Sequence, residues 1–482
     1  MNRSRCELRM PEAMYGTLHA HLFPGDGDEH GAVIEAGIVQ TSRGTKLLAR
    51  TVIFPKKGTD WVPGNRGYRM ITASFVRKRI RECRDERLIY LAVHNHGGND
   101  SVAFSKIDLE THERGFPALL DVANGMAVGG LVFARNAVAG DIWLDKTTRL
   151  TLDRMVVVGT NRNVLTPERE NLSATAHADP QYDRQSRMFG DRGQKVLESS
   201  RIAIIGCGGV GMLLAEYLGR LGVKNVILVD PDRVEITNLP RLPGARGFDA
   251  MSWLTRTNRP AWLQDLGRKF STRKVDLANR SIRKANGKAQ VTRLFNRFEE
   301  KRVTDEVNDC DYIFLAADTH RARLLLNAVC HQYLIPGVQM GTNIPSDRET
   351  GEVGNIHTRV RTVLPDLGCL KCNEAISAAR LQEESTPEGL KRQQRYTDDE
   401  GVTAPSVITL NALSASQAAN DFLFHMTGLF EPKTSAVYLT GLPRLRKFKS
   451  AMPRRDMHCS DCGFDQSSRR ARGDNAYLPL VD

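Results

Sequence analysis

Residues 182–241 constrain this chain more than any other stretch of its 482 residues. A short β-branched run, Ile202 to Ile205, stops at Gly206 and leads into Gly206-Cys207-Gly208-Gly209-Val210-Gly211. Apolar residues then recur at helical spacing (Met212, Leu213, Leu214, Tyr217, Leu218, Leu221), and a second run, Val226 to Val229, closes on Asp230. Strand, glycine turn, helix and strand, with an acid 19 positions beyond Gly211, is the context a nucleotide fingerprint requires. Gly206, Gly208, Gly209 and Gly211 leave room for backbone N–H groups to close on a phosphate at the positive end of a helix. Asp230 would accept hydrogen bonds from ribose hydroxyls. The expectation is an α/β, Rossmann-like sheet. The turn alone would also suit a dinucleotide-dependent oxidoreductase.

What flanks the turn narrows the choice. Asp232 follows Asp230, Asn238-Leu-Pro-Arg241 comes next, and Arg184-Gln185 precedes the first strand. Lys274 lies in a helical stretch, and Asp318 ends a third strand, Tyr312-Ile-Phe-Leu-Ala-Ala-Asp. Several cations around a cradle of N–H groups suit a triphosphate, and a carboxylate at a strand's C-terminal end suits Mg²⁺ shared with phosphate oxygens. ATP with Mg²⁺ is therefore the expected pair.

These residues resemble the ThiF/MoeB family, the adenylating core of ubiquitin-activating-type enzymes and of sulfur-carrier activators. The resemblance covers about 182–465. Tyr182-Asp183-Arg184-Gln185 is similar to the family's N-terminal arm, and the resemblance implies that Arg184 reaches the ATP site of a partner protomer, making a homodimer. It implies glycine-loop roles for Gly206, Gly208, Gly209 and Gly211, ribose binding by Asp230, phosphate contacts by Asn238, Arg241 and Lys274, and a magnesium-side role for Asp318. The implied reaction is attack of a protein's C-terminal carboxylate on the α-phosphate of ATP, giving an acyl-adenylate and pyrophosphate.

Two departures stand out. Leu242 to Arg273 reads as an insertion carrying Trp253 and Trp262 among basic residues, a lid, a docking surface or a solvated elaboration. Where relatives place a thioester cysteine, the loop Tyr396 to Ser406 offers Thr397 or Thr403. A threonine hydroxyl is a much poorer nucleophile than a thiolate, so adenylation is expected and a covalent carrier step stays open. Cys207 and Cys330 read as packing residues.

Ahead of this core, Ala32 to Gln40 and Lys46 to Phe54 read as a strand pair, Ile71 to Cys83 as a helix, and Leu88 to Val93 as a buried strand. That strand delivers His94-Asn-His96, and Ser105-Lys-Ile-Asp108 opens the next helix. Two histidines at i and i+2 with an aspartate form a three-ligand set that leaves a fourth tetrahedral position for water, as catalytic zinc needs. Glu29 is the candidate proton acceptor, with Asp28 behind it. The segment resembles the JAB/JAMM metalloprotease family, with eight residues between His96 and Ser105 where seven are usual. The resemblance implies zinc on His94, His96 and Asp108, Ser105 steadying the tetrahedral intermediate, and Glu29 as base. Degenerate members of that family only dock partners, which stays open.

Cys369-Leu-Lys-Cys372 and Cys459-Ser-Asp-Cys462 are two CxxC knuckles. Four thiolates close a tetrahedral zinc, so a structural ion is expected there beside the catalytic one. Binding on the order of 10 kcal/mol exceeds the few kcal/mol of closing a loop of about ninety residues.

The expected organisation is a JAB-like α/β zinc peptidase domain at 1–160, a linker at 161–181 and a ThiF/MoeB-like adenylating domain with a Cys₄ zinc site at 182–482. No apolar run approaches the ~20 residues of a membrane span, and nine cysteines with two CxxC pairs read as cytoplasmic metal chemistry rather than a disulfide framework. A net charge of +12 favours acidic partners. The absence of an aromatic-interleaved basic stripe argues against nucleic acid. The two halves together point to a ubiquitin-like or sulfur-carrier protein with a C-terminal glycine tail, matured or deconjugated by one half and adenylated by the other, with room for a conjugating enzyme downstream.

Overall fold

The computed structural model describes residues 5–62, 70–169, 179–347, 350–386, 405–431 and 437–480. The chain divides into two compact units, Met1–Thr175 with His331–Leu334 and Ser460–Tyr477, and Ala176–Cys330 with Ile335–Cys459 and Leu478–Asp482.

The first unit is built on a nine-stranded sheet. Its strands are β1 (Arg5–Pro11), β2 (Gly31–Thr41), β3 (Gly44–Ile53), β6 (Ile89–Asn95), β7 (Val128–Phe133), β8 (Val138–Trp143), β9 (Arg149–Thr151), β10 (Arg154–Val158) and β11 (Arg162–Leu165). They run in the order β11-β10-β1-β3-β2-β6-β7-β8-β9. A small ribbon, β4 (Trp61–Val62) and β5 (Met70–Ile71), stands apart. Alternation along the strands sends side chains to opposite faces. Ala32, Ile34, Leu91 and Val93 join one core with Leu18 and Leu22 of α1 (Glu12–Leu22). Val33, Tyr90 and Val128 join a second with Phe75 and Ile80 of α2 (Ala73–Asp85) and Phe116 and Leu120 of α3 (Lys106–Val122). A sheet apolar on both faces has to be covered twice, and the three helices do this.

The second unit carries an eight-stranded sheet, β12 (Arg201–Ile205), β13 (Asn225–Val229), β14 (Gln290–Leu294), β15 (Tyr312–Leu315), β16 (Gly337–Asn343), β17 (His357–Val363), β18 (Tyr438–Leu442) and β19 (Lys447–Ala451), in the order β14-β13-β12-β15-β16-β17-β18-β19. The first five are parallel and the last three join antiparallel. From β12 the chain moves outward to β13 and β14, then returns to β15 on the other side. The strand order therefore reverses between β12 and β15, where open α/β sheets bind ligands. The helices are α4 (Asp183–Ser199), α5 (Gly209–Arg220), α6 (Ala261–Phe270), α7 (Lys274–Ala285), α8 (Lys301–Val307), α9 (His320–Gln332), α10 (Ala378–Ser385) and α11 (Ile408–Thr427). Met212, Leu214 and Leu218 of α5 pack with Leu277 and Ile282 of α7 and with Ala415, Ala418 and Phe422 of α11.

Two boundaries differ from the sequence expectation. The start of the expected 161–181 linker is strand β11, whose Val164 and Leu165 pair with Val156 and Met155 of β10; four residues are too few to show a period. Ser460–Tyr477, expected in the second domain, clusters with the first. Its ties there are polar and distant in sequence, such as Arg50 Nη2 donating to the Asp465 and Gln466 carbonyls at 2.9 and 3.0 Å. The insertion 242–273 contains α6 and leaves Trp253 and Trp262 47% and 68% exposed. Among the described residues no helix is long and apolar enough to cross a membrane.

Candidate functional site

At the sheet's reversal point, β12 ends in the glycine turn and α5 begins at Gly209. Gly206 sits at φ +91°, and a Cβ there would stand 2.8 Å from the Ala317 backbone nitrogen. A Cβ on Gly211 would fall 1.9 Å from the Gly206 carbonyl oxygen. Both glycines are thus demanded by the turn's own packing. Gly208 differs, because a Cβ there meets nothing within 4 Å.

Asp230, 4% exposed, locks this turn. Its Oδ2 accepts from Cys207 N at 2.6 Å and its Oδ1 from Asp232 N at 2.8 Å. Burial pushes its pKa up, against the opposing pull of Lys274 and of these two N–H groups. Lys274, the first residue of α7, donates from Nζ to Asp232 Oδ2 at 2.7 Å. The turn Ile236–Arg241 is held by a capping box between Glu235 and Asn238.

These elements enclose a cavity of about 630 Å³ lined by Gly206, Gly208, Gly209, Asp230, Asp232, Arg241, Lys274 and Asp318. The fit to a nucleotide is physical: the site is concave, the bare position at Gly208 opens onto it, and once Arg297, Arg323, Arg359 and Arg361 are counted its walls carry six cations against the four acids Asp230, Asp232, Glu299 and Asp318. Four expected members lie outside the lining. Asn238 is buried at 5% exposure and shapes the turn that ends in Arg241. Gln185 donates from Nε2 to Gln194 Oε1 at 2.7 Å and to the Leu221 carbonyl at 3.2 Å, and Arg184 is exposed on α4. Gly211 is absent from the lining too, being packed on Gly206.

Sequence reasoning missed other lining residues: Gln339 on β16, Arg359 and Arg361 on β17, Arg323 on α9 and Asn411 on α11. The alternation Arg359-Val360-Arg361 was the available signal, since it sends both arginines to one face. Thr397 and Thr403 lie outside the described residues. Cys207 and Cys330 are buried, and burial pushes both thiols up, so neither offers a thiolate.

In the first unit, His94 and His96 leave β6, and Ser105 caps α3. His94 Nε2 and His96 Nε2 are 3.2 Å apart, and Asp108 Oδ2 lies 3.6 and 3.4 Å from them. Tetrahedral zinc with bonds of 2.0–2.1 Å requires ligand atoms about 3.3 Å apart, so the triangle fits. His96 Nδ1 lies 3.2 Å from the Ala103 carbonyl oxygen, a partner that leaves Nε2 with its lone pair. Ser105 donates to Asp108 Oδ2 from N at 2.8 Å and from Oγ at 2.7 Å, so the capping box aims the carboxylate. Burial raises the Asp108 pKa, but the nearby His94 ring and the hydrogen bonds from Ser105 outweigh it and hold it below the usual range. The extra residue between His96 and Ser105 is absorbed in a loop that contains Gly98 at φ +115°. Glu29 stands two residues before Gly31, whose register partner is His94.

The four cysteines of the two knuckles are buried, with sulfurs within 4.8 Å of one another. Cys369 Sγ is 3.5 Å from Cys372 Sγ and 3.7 Å from Cys459 Sγ. Zn–S bonds of about 2.3 Å set tetrahedral sulfurs about 3.8 Å apart, and no cysteine of the chain is in a disulfide.

The family model described as ThiF family matches residues 182–461. The chain belongs to the ThiF family. Relatives of this ThiF-family chain include the SAMP-activating enzyme E1 of Haloferax volcanii, 29% identical over 197 residues, 40% of this chain and 62% of the relative. The tRNA threonylcarbamoyladenosine dehydratase of Bacillus subtilis is 30% identical over 179 residues, 36% and 62%. The sulfur carrier protein ThiS adenylyltransferase of Bacillus subtilis is 31% identical over 157 residues, 32% and 41%. The chain spans at most 62% of the length of these relatives.

Proposed function

We propose that the second unit binds ATP with Mg²⁺ and adenylates the C-terminal carboxylate of a small ubiquitin-like or sulfur-carrier protein. The observation that carries this is the single cavity gathering Gly206, Gly208, Gly209, Asp230, Arg241, Lys274 and Asp318. Family membership favours a triphosphate over a dinucleotide, and two relatives are named for activating SAMP and for adenylating ThiS. Backbone N–H groups of the turn hold phosphate oxygens, and Asp230, which also latches the turn, would accept from the ribose hydroxyls. Arg241 and Lys274 offset negative charge gathering on the phosphates as the carboxylate oxygen bonds to the α-phosphorus and the α–β anhydride breaks, releasing pyrophosphate. Asp318 would hold Mg²⁺, which supplies charge neutralisation between phosphate oxygens.

Arg184 stands outside the cavity of its own chain, which supports a homodimer in which it serves the partner's site. The first unit would act as a JAB/JAMM-like zinc peptidase on the same tail. Zinc on His94, His96 and Asp108 would lower the pKa of its water to about 7. Glu29 would take a proton at its carboxylate, and Ser105, besides aiming Asp108, would steady the tetrahedral intermediate. The Cys369, Cys372, Cys459 and Cys462 zinc would be structural. A downstream conjugating enzyme and a cytoplasmic setting complete the proposal. ATP–pyrophosphate exchange tests it: label should enter ATP only with a Gly-Gly-ending carrier present, and exchange that ignores every such carrier would refute the reading.

A further inference from the structure

The cavity holds cations that the adenylation scheme leaves unused. Arg359 and Arg361 share one face of β17, and their register partners Gly341 and Gln339 on β16 line the cavity with them. Arg323 joins from the first turn of α9. Arg361 Nη1 donates to Gln339 Oε1 at 2.9 Å. Arg323 Nη1 lies 3.3 Å from His320 Nε2 and 3.4 Å from the Ala375 carbonyl oxygen, while its Nε is buried without a hydrogen-bond partner. None of the three forms an ion pair among the described residues. Burial, followed by the charge of Arg359, depresses the Arg361 guanidinium to about 10. Burial also lowers Arg323, with Arg359 opposing the pull of Asp318 and Glu384. Lys274, by contrast, has Asp232.

A half-buried cluster of like charges with an orphaned donor is unfavourable alone and becomes favourable when an anion fills it. The strand order says which anion. Asp230, the glycine turn and Asp318 follow β13, β12 and β15, whereas Arg359 and Arg361 stand on β17, with Arg323 on α9 just past Asp318. β17 is three strands from β12, roughly 14 Å at ~4.8 Å per strand. Arg359 and Arg361 therefore stand on the side of the glycine turn away from Asp230, and Arg323 faces the same cavity from α9.

We propose that Arg323, Arg359 and Arg361 form a carboxylate subsite that receives an acidic C-terminal peptide tail, making the substrate class a tail with Asp or Glu just before its terminal glycines. The proposal rests on the nucleotide reading above. The test uses the full chain with Mg²⁺ and α,β-methylene ATP, and fluorescence anisotropy of two hexapeptides, Glu-Asp-Glu-Asp-Gly-Gly and Lys-Arg-Lys-Arg-Gly-Gly, at about 0.15 M salt. The acidic peptide should bind at least ~30-fold more tightly, as two charge-assisted contacts imply. Arg359→Gln/Arg361→Gln should abolish the preference while nucleotide affinity stays within about twofold. Lys447→Gln/Lys449→Gln, which removes the same charge from exposed β19, should keep it. Equal binding, no binding of either peptide, or a preference that survives the arginine substitutions overturns the proposal. So does a tenfold loss of nucleotide affinity in the arginine variant, which would assign these residues to phosphate. Should the wild-type chain bind no nucleotide, the adenylation reading falls, and the peptides measured without nucleotide still decide the subsite.

Discussion

Gly208→Ala separates folding from ligand binding at the glycine turn. Gly208 has φ −77° and ψ −161°, a conformation alanine adopts freely. An added methyl meets nothing within 4 Å, so the fold should not notice it. A change of at most ~0.5 kcal/mol at such a position is about 1–2 °C in melting temperature for a unit this size. The methyl does enter the cavity, where a phosphate must come within hydrogen-bond distance of the turn. Displacing the phosphate forfeits one charge-assisted N–H contact, about 1.5–3 kcal/mol, or roughly 10- to 150-fold in Kd for ATP. Gly211→Ala is the opposite case: its Cβ would lie 1.9 Å from the Gly206 carbonyl oxygen, so stability should fall with affinity. Calorimetric titration with ATP·Mg²⁺ beside a thermal scan reads both quantities. Gly208→Ala with unchanged ATP affinity, or with a melting point lowered as far as that of Gly211→Ala, would refute the reasoning.

Elemental analysis should find two zinc ions per wild-type chain and one in His96→Ala with little loss of thermal stability, whereas Cys372→Ser should lose the other and unfold several degrees earlier. Co-expressed Arg184→Ala and Lys274→Ala chains should recover about a quarter of wild-type exchange if the arm acts across a two-fold dimer; chains that complete their own sites would recover nothing. Burial raises the Asp421 carboxyl to about 6. Its folded pKa lies above the unfolded value, so the native state holds the proton longer and stability falls as pH rises from about 4 to about 6. Asp421→Asn should therefore add on the order of 2 kcal/mol at pH 7.5 and little at pH 4, which urea titrations at both values check.

The glycine turn was legible because each of its demands is local: a strand that stops, positions that exclude a side chain, an acid at the end of the next strand. Asp230, Lys274 and Asp318 could be paired with it for the same reason, since each opens or follows an element with its own pattern. His94, His96 and Asp108 converge although the loop between them is one residue longer, because the strand and the helix cap fix their directions and the loop only joins them. The arginine wall was legible only in part: the alternation Arg359-Val360-Arg361 puts both arginines on one strand face, and only the sheet order turns that face toward the cavity. The clustering of Ser460–Tyr477 with the first unit rests on ties to Arg50 and Glu86 that span hundreds of residues and leave no periodic trace. Asn238 and Gln185 make hydrogen bonds to nearby backbone and side chains, which the sequence pattern does not show.

On the proposed reading, the cavity at the reversal of the second sheet takes ATP through Lys274 and Arg241. Equilibrium binding of ATP·Mg²⁺ to the wild-type chain, Lys274→Ala and Arg241→Ala measures this directly. Each substitution is expected to raise Kd by at least tenfold, with NAD failing to compete. Unchanged affinity in both variants, or NAD displacing ATP at equal concentration, would contradict the account.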